Sequence, residues 1–189
     1  MRRLIASLLA AWLMLGLAGV SVAKGLEGKP APKLELKGED GQKHTLATLA
    51  AGRPTVVLFW ASWCPYCEAL MPHLARLASQ YNDRIAVVAV SVWEEQGVDP
   101  FVVMRDRGHP FVVLAKGDKQ TKKWGVKGTP GLFVLDASGK VVFDRNAHVY
   151  TTSASGETGM TDRRTGIQRS ARMWADAVAE ALATQLTSG

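Results

Sequence analysis

Two cysteines, Cys64 and Cys67, are the only thiols in the 189-residue chain, and they stand two residues apart in Trp63-Cys64-Pro65-Tyr66-Cys67. Two intervening residues suit the first turn of a helix, where both sulfurs bond without large backbone movement. A sulfur at that place faces unpaired backbone N–H groups and the positive end of the helix dipole. An ordinary thiol, with pKa about 8.5, is only ~3% ionised at neutral pH, and this placement lowers the pKa. The chemistry is then thiol–disulfide exchange. Cys64 is the attacking thiolate, and Cys67, one turn deeper on the apolar face, resolves the mixed disulfide. Pro65 fits the first helical turn, where a missing N–H costs nothing. Glu68 has two readings, a proton relay for Cys67 and an exposed first-turn acid favoured by the dipole; the second is preferred.

Other uses of a CxxC fit less well. Zinc needs four ligands, and His44, His73, His109 and His148 lack ligand spacing. Haem attachment needs His after the second cysteine, where Glu68 stands. A purely structural disulfide closing two residues constrains the unfolded chain little. Copper held through both sulfurs is allowed by softness, with Met71 and His73 as the nearest helpers. Met71 reads as core and His73 as helix surface, so metal ligands are expected to be none. No cofactor is expected beyond a redox-active Cys64–Cys67 disulfide.

The sequence places the pair between a strand and a helix. Thr55–Trp60 is a continuous β-branched and aromatic run, the mark of a strand buried on both faces. After Cys67, Leu70, Met71, Leu74, Leu77, Ala78 and Tyr81 recur at helical spacing, with Pro72 predicted to kink the helix. A hairpin is expected around Gly38–Gly41. Further strands are expected at Ile85–Val92, Phe111–Leu114, Leu132–Leu135 and Val141–Phe143. Helices are expected at Asp99–Arg107, Asp118–Trp124 and, from Trp174, Val178, Leu182 and Leu186, at the C-terminus. Strands alternating with helices predict an α/β layer with a mixed sheet. Residues 146–168 show no period and are expected to form an irregular insertion.

The N-terminus opens with Arg2 and Arg3, followed by an uncharged stretch from Leu4 to the small residues Ser21-Val22-Ala23. Residues 1–23 read as a secretory signal peptide, or else as an uncleaved anchor. Residues 24–33 read as an extended leader and 34–189 as the folded domain. Either fate of the N-terminus places that domain outside the cytoplasm, where disulfides persist. Periplasmic localisation is therefore expected, with attachment to the inner membrane if the segment stays. Without residues 1–23 the formal charge falls from +6 to +4. Lys116, Lys119, Lys122, Lys123 and Lys127 read as a solvated face, and no nucleic-acid motif accompanies them. Trp63 is the tryptophan placed to touch substrate; Trp60, Trp93, Trp124 and Trp174 read as packing.

The stretch Val57–Cys67, Met71-Pro72, Trp124–Pro130, Leu132–Asp136 and Gly139-Lys140 resembles the TlpA/ResA/CcmG (DsbE) type of thioredoxin-fold, periplasmic thiol–disulfide oxidoreductases. The resemblance covers residues 30–145 and the last helix. It implies a thioredoxin-like fold, a central mixed β-sheet flanked by helices, with an extra helix–strand insertion at 98–114 before a cis-proline loop at Thr129-Pro130. It implies that Trp63, Pro65, Tyr66, Thr129 and Pro130 contact bound peptide. The implied partners are protein thiol or disulfide substrates, for example in cytochrome c biogenesis, and a membrane electron donor, with the protein a monomer. Two departures concern proton handling: acids of related proteins are replaced by Leu58 and Leu70. The Thr that peroxidases place three residues before the cysteine is Ala61. The resemblance favours a reductase; a Dsb-like oxidase or isomerase is the alternative.

Overall fold

The computed structural model describes residues 25–148 and 163–187. The segment read as a signal peptide or anchor lies outside them. Among the described residues, no helix is long and apolar enough to cross a membrane.

The chain first makes a hairpin, β1 (Glu35–Lys37) and β2 (Lys43–Thr45), followed by the short helix α1 (Leu46–Ala50). Thr45 and Thr48 cap α1 reciprocally, each side chain serving the other's backbone N–H. Next come β3 (Thr55–Trp60), α2 (Pro65–Tyr81), β4 (Ala86–Ser91), α3 (Pro100–Asp106) and β5 (Val112–Leu114). The remainder is α4 (Asp118–Thr121), β6 (Gly131–Leu135), β7 (Val141–Asp144) and α5 (Arg163–Thr187). Five strands form one sheet in the order β5-β4-β3-β6-β7. β3, β4 and β5 run parallel, while β6 runs antiparallel to both β3 and β7. This is the expected thioredoxin-like fold, a mixed sheet with helices on its faces, and α3 and β5 are the extra helix and strand.

All six residues of β3 and all six of β4 are buried. Their alternation divides the core in two. Val56, Leu58, Trp60, Val87, Ala89, Leu132 and Val134 face α2 and α5. Val57, Phe59, Val88, Val90, Phe133 and Leu135 meet Leu34, Leu46, Trp124 and Val141 on the other face. Helix α2 continues through Pro72 to Tyr81, although Pro72 lacks the N–H that would bond to the Glu68 carbonyl. The leader lies against the edge of β7. Gly28 N–H donates to the Val141 carbonyl, and Val141 N–H to that of Lys29, each at 2.9 Å.

The two ends of the stretch 146–168, expected to be irregular, are regular, and residues 149–162 of it lie outside the described residues. Arg145–Ala147 form a 3-10 turn, and Arg163–Gln168 already belong to α5. The polar composition of that stretch hides the helix. Its first two turns offer only Ile167 to the core, and the deep contacts begin at Ser170 and Ala171. The five lysines of the 116–127 run are all exposed, as a solvated face requires.

Candidate functional site

Strand β3 ends at Trp60, and the backbone turns through Ala61–Cys64 into α2, with Cys64 N–H donating to the Ala61 carbonyl at 3.2 Å. Cys64 is the N-cap of α2 and Pro65 its first helical residue. The backbone N–H of Cys67 points at the Cys64 sulfur, 3.2 Å away. The same N–H also reaches the Cys64 carbonyl at 3.1 Å, so it is a helix-start donor shared between that oxygen and the atom that would carry charge as a thiolate. Cys64 and Cys67 are joined as a disulfide, their Cα atoms 5.3 Å apart. Both are buried, Cys67 completely.

Trp63 is 51% exposed and its indole N–H donates to the Trp93 carbonyl at 2.8 Å, which fixes the ring beside the cysteines. Tyr66 is half-buried, its ring 5.9 Å from that of Trp174 on α5. Trp174 in turn lies under the Arg145 guanidinium, 4.5 Å from the ring centre. The Thr129–Pro130 bond is cis. Gly131 pairs with Phe59 across the antiparallel β3–β6 ladder, so Pro130 stands level with Trp60, at the end of the sheet that carries Cys64. A Cβ on Gly131 would lie 2.8 Å from a Val126 methyl and 3.1 Å from Phe59 Cβ, so a side chain there would have to push Val126 aside. A groove of about 490 Å³ opens on the other side of the turn, lined by Trp93, Glu94, Val98, Phe101, Lys116 and Asp118 among others.

Glu68 is exposed while its neighbour Cys67 is fully buried. Successive helical side chains diverge by about 100°, so Glu68 takes the solvent-facing place of a first-turn acid and does not face Cys67. Leu58 and Leu70, the apolar replacements of the usual acids, are wholly buried. The helpers considered for copper are committed elsewhere. Met71 is buried with Arg107 directed at its sulfur, and Arg76 donates to His73 Nδ1 at 3.0 Å.

Two residues at the site escaped the sequence reading. Glu94, on the loop after β4, and Arg107, just beyond α3, both bind Ser62 in the turn before Cys64. They lie 32 and 45 residues from Ser62, and no local pattern marks them.

A sulfur pair that opens and closes within one helical turn carries two electrons. Mounted beside a cis-proline on this sheet, it makes the protein a thioredoxin-like thiol–disulfide oxidoreductase. The chain belongs to the AhpC/TSA family, whose model matches residues 28–144. It is 33% identical to the thioredoxin-like protein YneN of Bacillus subtilis over 129 residues, which are 66% of this chain and 72% of that protein. It is likewise 33% identical to the thiol-disulfide oxidoreductase ResA of Bacillus cereus over 117 residues, 61% of this chain and 66% of ResA. Among solved structures, a thiol:disulfide interchange protein DsbE from Chlorobium tepidum matches with a TM-score of 0.57 at 26% identity. That match covers 79% of this chain and 96% of the other.

Proposed function

We propose that the protein is an exported reductase of protein disulfides, with Cys64 as nucleophile and Cys67 as resolving thiol. The observation that carries the assignment of roles is the Cys67 N–H aimed at the Cys64 sulfur, which stabilises a thiolate on Cys64 and offers Cys67 nothing equivalent. In the forward reaction the Cys64 thiolate attacks one sulfur of a substrate disulfide. That bond breaks, and the departing sulfur leaves with the electron pair and takes a proton from solvent. Cys67, losing its proton, then attacks Cys64 and releases the second substrate thiol. The substrate gains two electrons and two protons, and the protein ends as the Cys64–Cys67 disulfide. A dithiol donor of more negative potential must restore it. The names of the DsbE and ResA relatives support this class of chemistry. The resemblance to membrane-fed reductases supports the direction.

Trp63, Tyr66, Thr129 and Pro130 would hold the substrate's extended backbone around the sulfurs, with Pro65 keeping the helix start in place. With Leu58 and Leu70 apolar and Glu68 turned outward, water would remove the Cys67 proton. Two measurements test the proposal. Equilibration with glutathione should give a reduction potential well below that of a strong oxidant; a value near about −120 mV would overturn the reductase direction. Cys67→Ser should accumulate mixed disulfides on Cys64 in the native compartment, and recovery of none would overturn the assignment of the nucleophile.

A further inference from the structure

The turn Ala61–Cys64 is short, and Ser62 and Trp63 form its middle. Neither the N–H nor the carbonyl of Ser62 is used within the turn, yet both are bonded. The Ser62 N–H donates to both carboxylate oxygens of Glu94 at 3.0 Å, and its hydroxyl donates to the same carboxylate at 2.5 Å. Ser91 Oγ donates to Glu94 at 2.9 Å, so the acid is itself held in place. At the opposite end of the residue, the guanidinium of Arg107 donates to the Ser62 carbonyl at 2.9 Å. Its other nitrogen is 3.7 Å from Met71 Sδ on α2, and the group lies 5.6 Å from the ring centre of the buried Trp60. A planar, forked cation can make these contacts at once; an ammonium cannot.

We propose that Arg107 is a positioning residue for the nucleophile: with Glu94 it clamps Ser62 from both ends and thereby sets the Cys64 sulfur against the Cys67 N–H. This rests on the reading of Cys64 as the attacking thiol. Two effects act in one direction. Without Arg107 the turn loses one of its anchors, and the sulfur can drift from the donor that stabilises its charge. Loss of the cation also removes the positive charge held on Ser62, two residues from Cys64, while the Glu94 carboxylate on the same residue stays, and a like charge opposes thiolate formation. The extra α3–β5 segment, which ends its helix just before Arg107, thus acts on the redox centre as well as extending the sheet.

The test is the pH profile of iodoacetamide alkylation of the reduced protein, with the alkylated cysteine identified by peptide mass. Arg107→Met keeps the aliphatic length over Trp60 and removes the donors and the charge. Its midpoint should rise by about 0.5–1 pH unit, a roughly 3- to 10-fold loss of thiolate below both midpoints. Arg105→Ala removes an equal charge from α3, where Arg105 pairs with the distant Glu39, and should leave the midpoint unchanged. If Arg107→Met does not fold, Arg107→Gln is measured instead and should shift the same way by less. A midpoint equal to wild type, whatever the change in stability, overturns the proposal, as does an equal shift in Arg105→Ala. Alkylation falling first on Cys67 in the wild-type protein overturns the underlying reading itself, independently of Arg107.

Discussion

At the scale of residues, the disulfide's asymmetry comes from its place on the helix. Cys64 is outside the first turn and receives an N–H; Cys67 is inside it and fully buried. The neighbouring Trp63 is half exposed and fixed by one hydrogen bond from its indole. Its emission should therefore report whether the adjacent sulfurs are joined or reduced. Trp63→Phe should remove most of the redox-dependent change in fluorescence; an undiminished change would show that another tryptophan is the reporter. The cysteine pair and Pro65 at the helix start were legible from their own types and immediate neighbours, and the cis bond at Thr129-Pro130 from the family resemblance. Glu94 and Arg107 were not, because a carboxylate and a guanidinium acquire meaning at this site only when three separate segments meet.

Among the elements, α2 and α5 carry the helical side of the core, and the buried face of α5 runs through Ala171, Trp174, Val178 and Leu182. Leu182 is fully buried, so Leu182→Ala should cost about 2–5 kcal/mol in urea unfolding. Leu186→Ala, one turn on and half-buried, should cost about 1 kcal/mol. Equal costs would mean that the end of α5 docks as firmly as its middle. Gly131→Ala should destabilise by about 1–3 kcal/mol, since Val126 and Phe59 leave no room for the methyl. A stability equal to wild type would show that the head of β6 yields at no cost. The strands were readable from their β-branched runs and α2 from its period. The start of α5 was not readable, because Arg163–Gln168 carry a single apolar side chain and the helix there continues from a turn already docked further along.

Across the whole molecule, acid should act through two sets of groups. Burial, helped by Arg76 and Arg172, holds His73 below the usual histidine range, and burial with Arg107 does the same for His109. The folded form therefore prefers both neutral, while the unfolded chain takes up protons first. Their contribution is complete above about pH 6.5 and is lost as the pH falls through the lowered folded values. His73→Gln combined with His109→Gln should flatten the fall in urea midpoint between about pH 7 and pH 5; an unchanged slope would remove these groups from the account. A second loss follows in stronger acid. The His44 side chain and the Gln42 N–H hold Asp40 below the usual carboxylate range. In Asp136, burial works upward but is outweighed by hydrogen bonds from Ser138 and Lys140. Both contributions are present above about pH 4 and disappear below it.

Sequence by itself determined the reaction chemistry and the order of the elements. A dithiol two residues apart, behind a buried strand and ahead of an amphipathic helix, needs only local rules to be read; the cis-proline loop was implied by the family resemblance. Tertiary structure decided what surrounds the sulfurs. It turned Glu68 to solvent, engaged Met71 and His73 with arginines, and brought Glu94 and Arg107 onto Ser62 from 32 and 45 residues away. Local spacing fixes which way the backbone runs and which face is apolar. Which charged groups meet at the end of a strand depends on how the whole sheet and its crossovers close.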